Sequence, residues 1–204
     1  MTAEHKKISG PLMVVLSAPS GAGKTTICRE LLKRHSNFRM SISATTRPKA
    51  VGERQGRDYF FLTKKEFETN LEKNWFVEWA RVYDHYYGTP IAPVQKYLAQ
   101  NKVVLFDVDT KGGRAIKRAY PDAVIIFILP PSLTVLKRRL VGRKRDDRET
   151  INKRFAQALK EIEIRTKYDY NVINSDLNTA VEQVEAILEA ESLRPARLKS
   201  HIYN

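Results

Sequence analysis

The sequence predicts an α/β fold: a parallel sheet flanked by helices, interrupted by a strand-rich insertion and by a lid. Three observations predict it. Short apolar runs carry no polar alternation, helical patterns separate them, and two segments break the rhythm.

The apolar runs lie at 12–16, 103–106 and 124–129, with a weaker one at 172–173. Being apolar on both sides of the pleat, they read as strands covered on both faces. The first helical pattern spans 25–35, with Ile27, Leu31 and Leu32 on its apolar stripe. Patterns at 133–141, 151–168 and 179–190 follow. Strands alternating with helices imply parallel pairing through right-handed crossovers. Residues 43–89 break the alternation. There Gly52, Gly56 and Gly88 punctuate aromatic stretches at 59–61 and 75–79, which predicts a small inserted sheet. Residues 142–150 carry Gly142 and a run of charges between two helical patterns, which predicts a mobile lid. The expected organisation is one domain over 1–204. Its core is 10–42 and 90–190, and a loose basic tail occupies 192–204.

With 42% hydrophobic residues in 204, the chain can bury one real core. Lys plus Arg number 36 against 23 Asp plus Glu, a net charge of +13. That balance implies an anionic partner: nucleic acid, a membrane surface or phosphorylated small molecules. Cys28 is the only cysteine, so no intrachain disulfide forms, which suits a reducing compartment. No stretch is long enough to span a bilayer, and the run at 12–16 is too short for a secretion-signal core. The expectation is a soluble, cytoplasmic protein.

Residues 17–26 read Ser-Ala-Pro-Ser-Gly-Ala-Gly-Lys-Thr-Thr, between a buried strand and a helix. This is the place and composition of a phosphate loop, and it makes the expected fold of the P-loop NTPase type. Gly21 and Gly23 let the backbone aim several N–H groups at one anion, and the helix adds its positive end. Ser20, Gly21, Ala22, Gly23, Lys24, Thr25 and Thr26 are therefore the expected ATP-binding residues. Lys24 can reach the β- and γ-phosphates, and the Thr25 hydroxyl can ligate Mg²⁺. Ala18 stands where the strict pattern has glycine, but the inner glycines carry the closest approach. Asp107 ends the apolar run at 103–106, where an acidic residue can join Thr25 in holding the metal.

A phosphate loop does not name the acceptor. The insertion is more specific. Ser43-Ala-Thr-Thr-Arg-Pro48 is followed by Gly52-Glu-Arg-Gln-Gly-Arg-Asp-Tyr59, Glu78-Trp-Ala80, Tyr86-Tyr-Gly-Thr89 and Asp107-Val-Asp109. With the phosphate loop, this order and spacing resemble the guanylate kinase family, from the loop to Asn174-Ser-Asp176. The resemblance implies a kinase that moves the ATP γ-phosphoryl group to GMP in purine nucleotide metabolism, with Mg²⁺ as cofactor. It implies that Arg47, Tyr59 and Tyr87 grip the GMP phosphate. It further implies that Ser43, Glu78, Gly88, Thr89 and Asp109 surround the guanosine part, and that Asn174 lies near the adenine. Lys24, Arg47, Arg143 in the lid and Arg154 in the next helix are the implied catalytic cations.

The chemistry agrees. Guanine presents N1–H and N2–H₂ donors, which one carboxylate such as Glu78 can accept, and an O6 acceptor for hydroxyls such as Ser43 and Thr89. Adenine reverses this pattern and would leave Glu78 unpaired, enough for discrimination of ~10⁴ or more. Arginine suits the acceptor phosphate because its planar fork binds two oxygens.

Three positions depart from the family pattern. Ala50 replaces a second arginine, with Lys49, Arg54 and Arg57 as the nearby cations. Lys111 replaces a glutamine, and Lys144 a lid glycine. Three rival readings make different demands. A kinase of a ribose bisphosphate would not need the guanine-reading set, and a phosphopeptide-binding scaffold would not need Lys24 and Thr25. A nucleic-acid binder would need a clustered basic face with stacking aromatics. The expected partners are ATP and GMP, with neither membrane nor nucleic acid; a homo-oligomer is left open.

Overall fold

The computed structural model describes residues 8, 10–82, 84–142 and 147–197. β1 (Leu12–Ser17), buried along its length, leads through the phosphate loop into α1 (Lys24–Arg34) and then β2 (Phe38–Met40). The insertion follows: β3 (Ala44–Thr45), β4 (Phe60–Phe61), α2 (Lys64–Glu72), β5 (Phe76–Val82) and β6 (His85–Pro90). The chain returns through α3 (Ile91–Ala99) to β7 (Val103–Asp107), α4 (Thr110–Ala119) and β8 (Val124–Leu129). It ends with α5 (Leu133–Val141), α6 (Arg148–Glu163), β9 (Tyr170–Ile173) and α7 (Leu177–Ser192).

The core sheet has the order β2-β7-β1-β8-β9, and each neighbouring pair is parallel. Alternation along β1 sends Leu12, Val14 and Leu16 into one apolar cluster and Met13 and Val15 into the other. The first cluster contains Ile27, Leu31, Val181 and Leu188 from α1 and α7; the second contains Val94 and Ile116 from α3 and α4. Both faces of the sheet are thus covered, which is why its strands read as unbroken apolar runs. A fully buried Phe such as Phe106 would cost ~3–5 kcal/mol on truncation to alanine.

The insertion forms its own four-stranded sheet, β4-β3-β6-β5, with β3 and β4 parallel and the other pairs antiparallel. It is not only strands. α2 starts at a capping box in which Thr63 and Glu66 satisfy each other's backbone N–H, a signature legible in Thr63-Lys-Lys-Glu66. Phe67 from this helix stacks on Phe76 and Tyr86 and closes the sheet's apolar side.

Several boundaries differ from expectation. β2 has only three residues, too few for a readable run. α4 is hidden in the sequence by Gly112 and Gly113, which weaken helix propensity, yet both are buried where the helix meets its neighbours. The helix expected at 151–168 begins at Arg148, because the Asp147 carboxylate accepts from Thr150 N–H as its cap. It ends at Glu163, and Ile164–Lys167 tighten into a 3₁₀ turn. Asp147 to Thr150, expected in the lid, are therefore cap and first turn. Arg143 and Lys144 lie outside the described residues. The stretch from Ser192, expected as a loose tail, is anchored as far as Arg197. Ser192 closes α7, and the Arg197 guanidinium bonds to buried Glu191 and to the Asp122 carbonyl.

Candidate active site

The phosphate loop leaves β1 at the C-terminal edge of the sheet, between β7 and β8. Open parallel sheets bind ligands in the crevice at such a point. Gly21 and Gly23 have φ of 92° and 96°, a left-handed backbone that a side chain would strain. At Gly23 a Cβ would also lie 2.3 Å from Asn174 Nδ2. Asn174 is buried and donates to the Ala22 carbonyl at 2.8 Å; Arg139 bridges the Ala22 and Asn174 carbonyls at 3.3 and 3.2 Å. The side chain expected near adenine thus braces the outer wall of the loop.

Parallel register places Asp107 opposite Leu16, beside the start of the loop. Its carboxylate pairs with Lys24 Nζ at 2.8 Å and accepts from Thr25 Oγ1 at 2.9 Å. Lys24 also donates to the Val108 carbonyl at 2.5 Å. Thr26 is exposed on the first turn of α1. The Thr25 hydroxyl and Asp107 form a hard-oxygen pair at the mouth of the loop. Such a pair suits Mg²⁺, which keeps waters and takes its remaining ligands from substrate phosphates. Among the described residues there is no cluster of three or more His, Cys, Asp or Glu that would form a cage.

In the insertion, Glu78 of β5 pairs across the sheet with Thr89 of β6. Thr89 Oγ1 donates to Glu78 Oε1 at 2.8 Å, and both residues are buried. Burial pushes the Glu78 carboxyl up to about 7; the Thr89 bond opposes this, and nearby Asp109 adds to it. Gly112 of α4 approaches so closely that a Cβ there would lie 3.1 Å from Glu78 Oε2. Gly88 is also tight: a side chain would strike the Phe76 ring at 2.8 Å. Ser43 is half-buried beside β3, and its carbonyl accepts from Phe60 N–H. Asp109 is exposed and caps α4 through Gly112 N–H at 2.8 Å, so one of its oxygens is engaged by the fold.

Arg47 lies with its guanidinium carbon 5.4 Å from the Tyr59 ring centre. The Tyr59 and Tyr87 rings meet edge to face at 6.2 Å. Sequence reasoning missed Glu53. Its carboxylate takes Arg47 NH2 at 2.6 Å and Ala50 N–H at 2.7 Å, and the bond from Arg47 holds it below the usual carboxylate range. Of the three cations considered for the place of Ala50, Arg57 is paired with Asp58 at 2.9 Å.

Two cavities meet at Ser20, Asp109 and Glu161. One, of about 290 Å³, follows the phosphate loop; the other, of about 840 Å³, is lined by Arg81, Lys111 and Arg154 as well. Glu161 is a second residue that sequence reasoning missed, because nothing in a helical run marks one glutamate as facing a cleft. A third cavity, of about 520 Å³, lies between Leu12, Leu98, Tyr120 and Arg197. It is remote from these groups, and Arg194 and Arg197 at its rim are paired with Glu191.

The family model described as guanylate kinase matches residues 11–191. The guanylate kinase of Carboxydothermus hydrogenoformans is 48% identical over 191 residues, covering 94% of each chain. That of Clostridioides difficile is 44% identical over 191 residues, covering 94% of this chain and 93% of its own. Among solved structures, the crystal structure of guanylate kinase from Anaplasma phagocytophilum aligns with a TM-score of 0.74 at 30% identity, covering 93% of this chain and 90% of that one. The phosphate loop, the Glu78–Thr89 pair and the Arg47–Tyr59–Tyr87 group thus stand within a match that spans nearly the whole chain, and the chain belongs to the guanylate kinase family.

Proposed function

We propose that the chain transfers the γ-phosphoryl group of ATP to GMP, giving ADP and GDP. The observation that carries the acceptor assignment is the buried Glu78–Thr89 pair at the edge of the insertion. Guanine offers two donors to the carboxylate and an acceptor for the Ser43 hydroxyl, while the Thr89 hydroxyl, whose one proton goes to Glu78, orients that carboxylate. An adenine there would face a desolvated carboxylate with no donor to give it.

The donor half holds ATP through the backbone N–H groups of residues 20–26 and through Lys24, with Asn174 on the wall of the loop. Thr25 and Asp107 would hold Mg²⁺, which supplies charge neutralisation at the phosphates when bound. Arg47, Tyr59 and Tyr87 take the GMP phosphate, and Gly88 and Asp109 complete the wall around the nucleoside. The transition state spreads charge over three equatorial oxygens, so catalysis is positioning and electrostatics. Lys24, Arg47 and Arg154 supply positive charge. Arg143 is assigned to the same task by the family resemblance alone. No general base is required, because the acceptor phosphate is already ionised. The same reading makes the protein a cytoplasmic enzyme of purine nucleotide metabolism. No helix among the described residues is long and apolar enough to cross a membrane.

A coupled ADP-release assay with ATP and a panel of GMP, dGMP, AMP, UMP and CMP tests the proposal. Turnover is expected with the guanine nucleotides and to be weak with the rest. Equal turnover with AMP would remove the base-reading role of Glu78.

A further inference from the structure

Two buried hydroxyls meet behind the phosphate loop. Ser17 closes β1 and opens the loop; Tyr168, 7% exposed, follows the 3₁₀ turn after α6. The Tyr168 ring packs against Phe127 of β8, with ring centres 5.0 Å apart. Its Oη is buried and has no hydrogen-bond partner among the described residues. Gly113 of α4 makes the room. A Cβ there would lie 2.7 Å from Ser17 Oγ and 3.2 Å from Tyr168 Oη, so both oxygens face the same point. Ser17 Oγ donates to the Asp109 carbonyl at 3.3 Å, a long bond, and can still accept through its lone pairs. A buried hydroxyl without a partner carries the full cost of its desolvation, and phenylalanine would fill the same space without that cost. Such a group calls for a use in another arrangement of the loop.

We propose that Tyr168 is a positioning residue for the phosphate loop: when nucleotide is held, its hydroxyl donates to Ser17 Oγ and completes a chain that runs through Ser17 to the Asp109 carbonyl. The proposal rests on the reading of the loop as the ATP site. Phosphate drawn onto the N–H groups of residues 20–26 pulls on the chain that leaves β1, and Ser17 is where that pull meets the sheet. Burial pushes the Tyr168 hydroxyl above its usual range, so it keeps its proton and acts as a donor. The chain joins both halves of the cleft, because Asp109 caps α4 and lines both cavities. Hydrogen bonds in such a chain polarise and strengthen one another.

The test measures ADP affinity by titration calorimetry, and melting temperature with and without saturating ADP, in Tyr168→Phe, Ser17→Ala and the Ser17→Ala/Tyr168→Phe double variant. Lys24→Ala checks the parent reading: a loop that holds nucleotide should lose ADP affinity there ~10-fold or more. Tyr168→Phe is expected to weaken ADP binding ~3–10-fold. Its melting temperature without ADP should equal or exceed that of the parent protein, since the free chain loses no bond, while the upward shift given by ADP should shrink. The double variant should match Ser17→Ala within ~2-fold, because the tyrosine hydroxyl then has nothing left to hold. If Lys24→Ala loses ADP affinity and Tyr168→Phe does not, the proposal is overturned and the loop reading stands. Undiminished affinity in Lys24→Ala removes both. A lower melting temperature of Tyr168→Phe without ADP, or its failure to fold, would make the hydroxyl a structural group of the free protein and overturns the proposal too. Losses that multiply in the double variant do the same.

Discussion

The proposed donor and acceptor halves of the cleft are built on different principles. On the donor side the geometry is mainly backbone: a turn with two left-handed glycines, a helix N-terminus, and a strand register that sets Asp107 beside Lys24 and Thr25. On the acceptor side it is a set of side-chain pairs from separate strands and loops: Arg47 with Glu53, Glu78 with Thr89, Tyr59 with Tyr87. A backbone site survives the loss of one side chain in shape, though not in charge. A side-chain site loses shape, charge and selectivity together. Substitutions on the two sides should therefore fail differently.

The largest effect is expected on the donor side. Lys24→Ala should lower kcat by at least ~10², because a charge on the transferring group is lost while the loop keeps its turn. Its melting temperature should stay near that of the parent protein. A folded variant with near-normal turnover would mean that the loop does not hold the transferred phosphoryl group.

Glu78→Gln should strike selectivity instead. The GMP-to-AMP ratio of kcat/KM is expected to fall ~10-fold or more, since the amide offers one acceptor to two guanine donors. A pH signature accompanies it. The carboxyl is raised from an ordinary 4.5 to about 7, so kcat/KM for GMP should decline as pH drops below 7 and the carboxylate takes a proton. For stability the sign is opposite. Between pH 4.5 and 7 the folded chain keeps a proton that the unfolded chain has released, so stability falls as pH rises through that window. The penalty above pH 7 is about 3 kcal/mol. Glu78→Gln should therefore melt higher than the parent at pH 8, with the advantage gone below pH 4.5. Denaturation series at both pH values measure it, and an equal gain at both would show that the carboxyl does not titrate in this way.

A smaller effect is expected at Glu53. Its removal by Glu53→Ala takes away the partner of Arg47 NH2 and of the Ala50 N–H, leaving the guanidinium held only by its NH1 bond to the Pro48 carbonyl. KM for GMP should rise ~3–10-fold as Arg47 loses its orientation, with kcat less affected. A fall in KM would instead show the carboxylate competing with the acceptor phosphate for Arg47.

The smallest effect, and the one that sharpens the comparison most, concerns Ala50. A charge-assisted bond from Ala50→Arg to the acceptor phosphate should lower KM for GMP by up to ~10-fold and leave KM for ATP unchanged, because the phosphate loop is elsewhere. No gain, together with a loss of GMP affinity in Lys49→Ala or Arg54→Ala, would identify that residue as the cation already serving the site.

Most of the core and the whole donor loop were legible in the chain itself. Strands buried on both faces leave apolar runs, and a phosphate loop needs its glycines, lysine and threonine consecutively, because neighbouring backbone groups make the site. The residues proposed for the acceptor could be singled out only through a resemblance to a family, since positions 43, 47, 59, 78, 87–89 and 109 show no local rule that joins them. Tertiary structure decided the rest. It placed Asp107 by parallel pairing, brought Gly112 of α4 against Glu78, tied Arg47 to Glu53 and set Glu161 on the lining of both cavities. It also drew α4 out of a segment with two glycines, where propensity argues against a helix. The physical reason is one of range. Local conformation follows from neighbours along the chain, whereas a buried carboxylate's partner and its ionisation depend on which distant elements the sheet order brings to it.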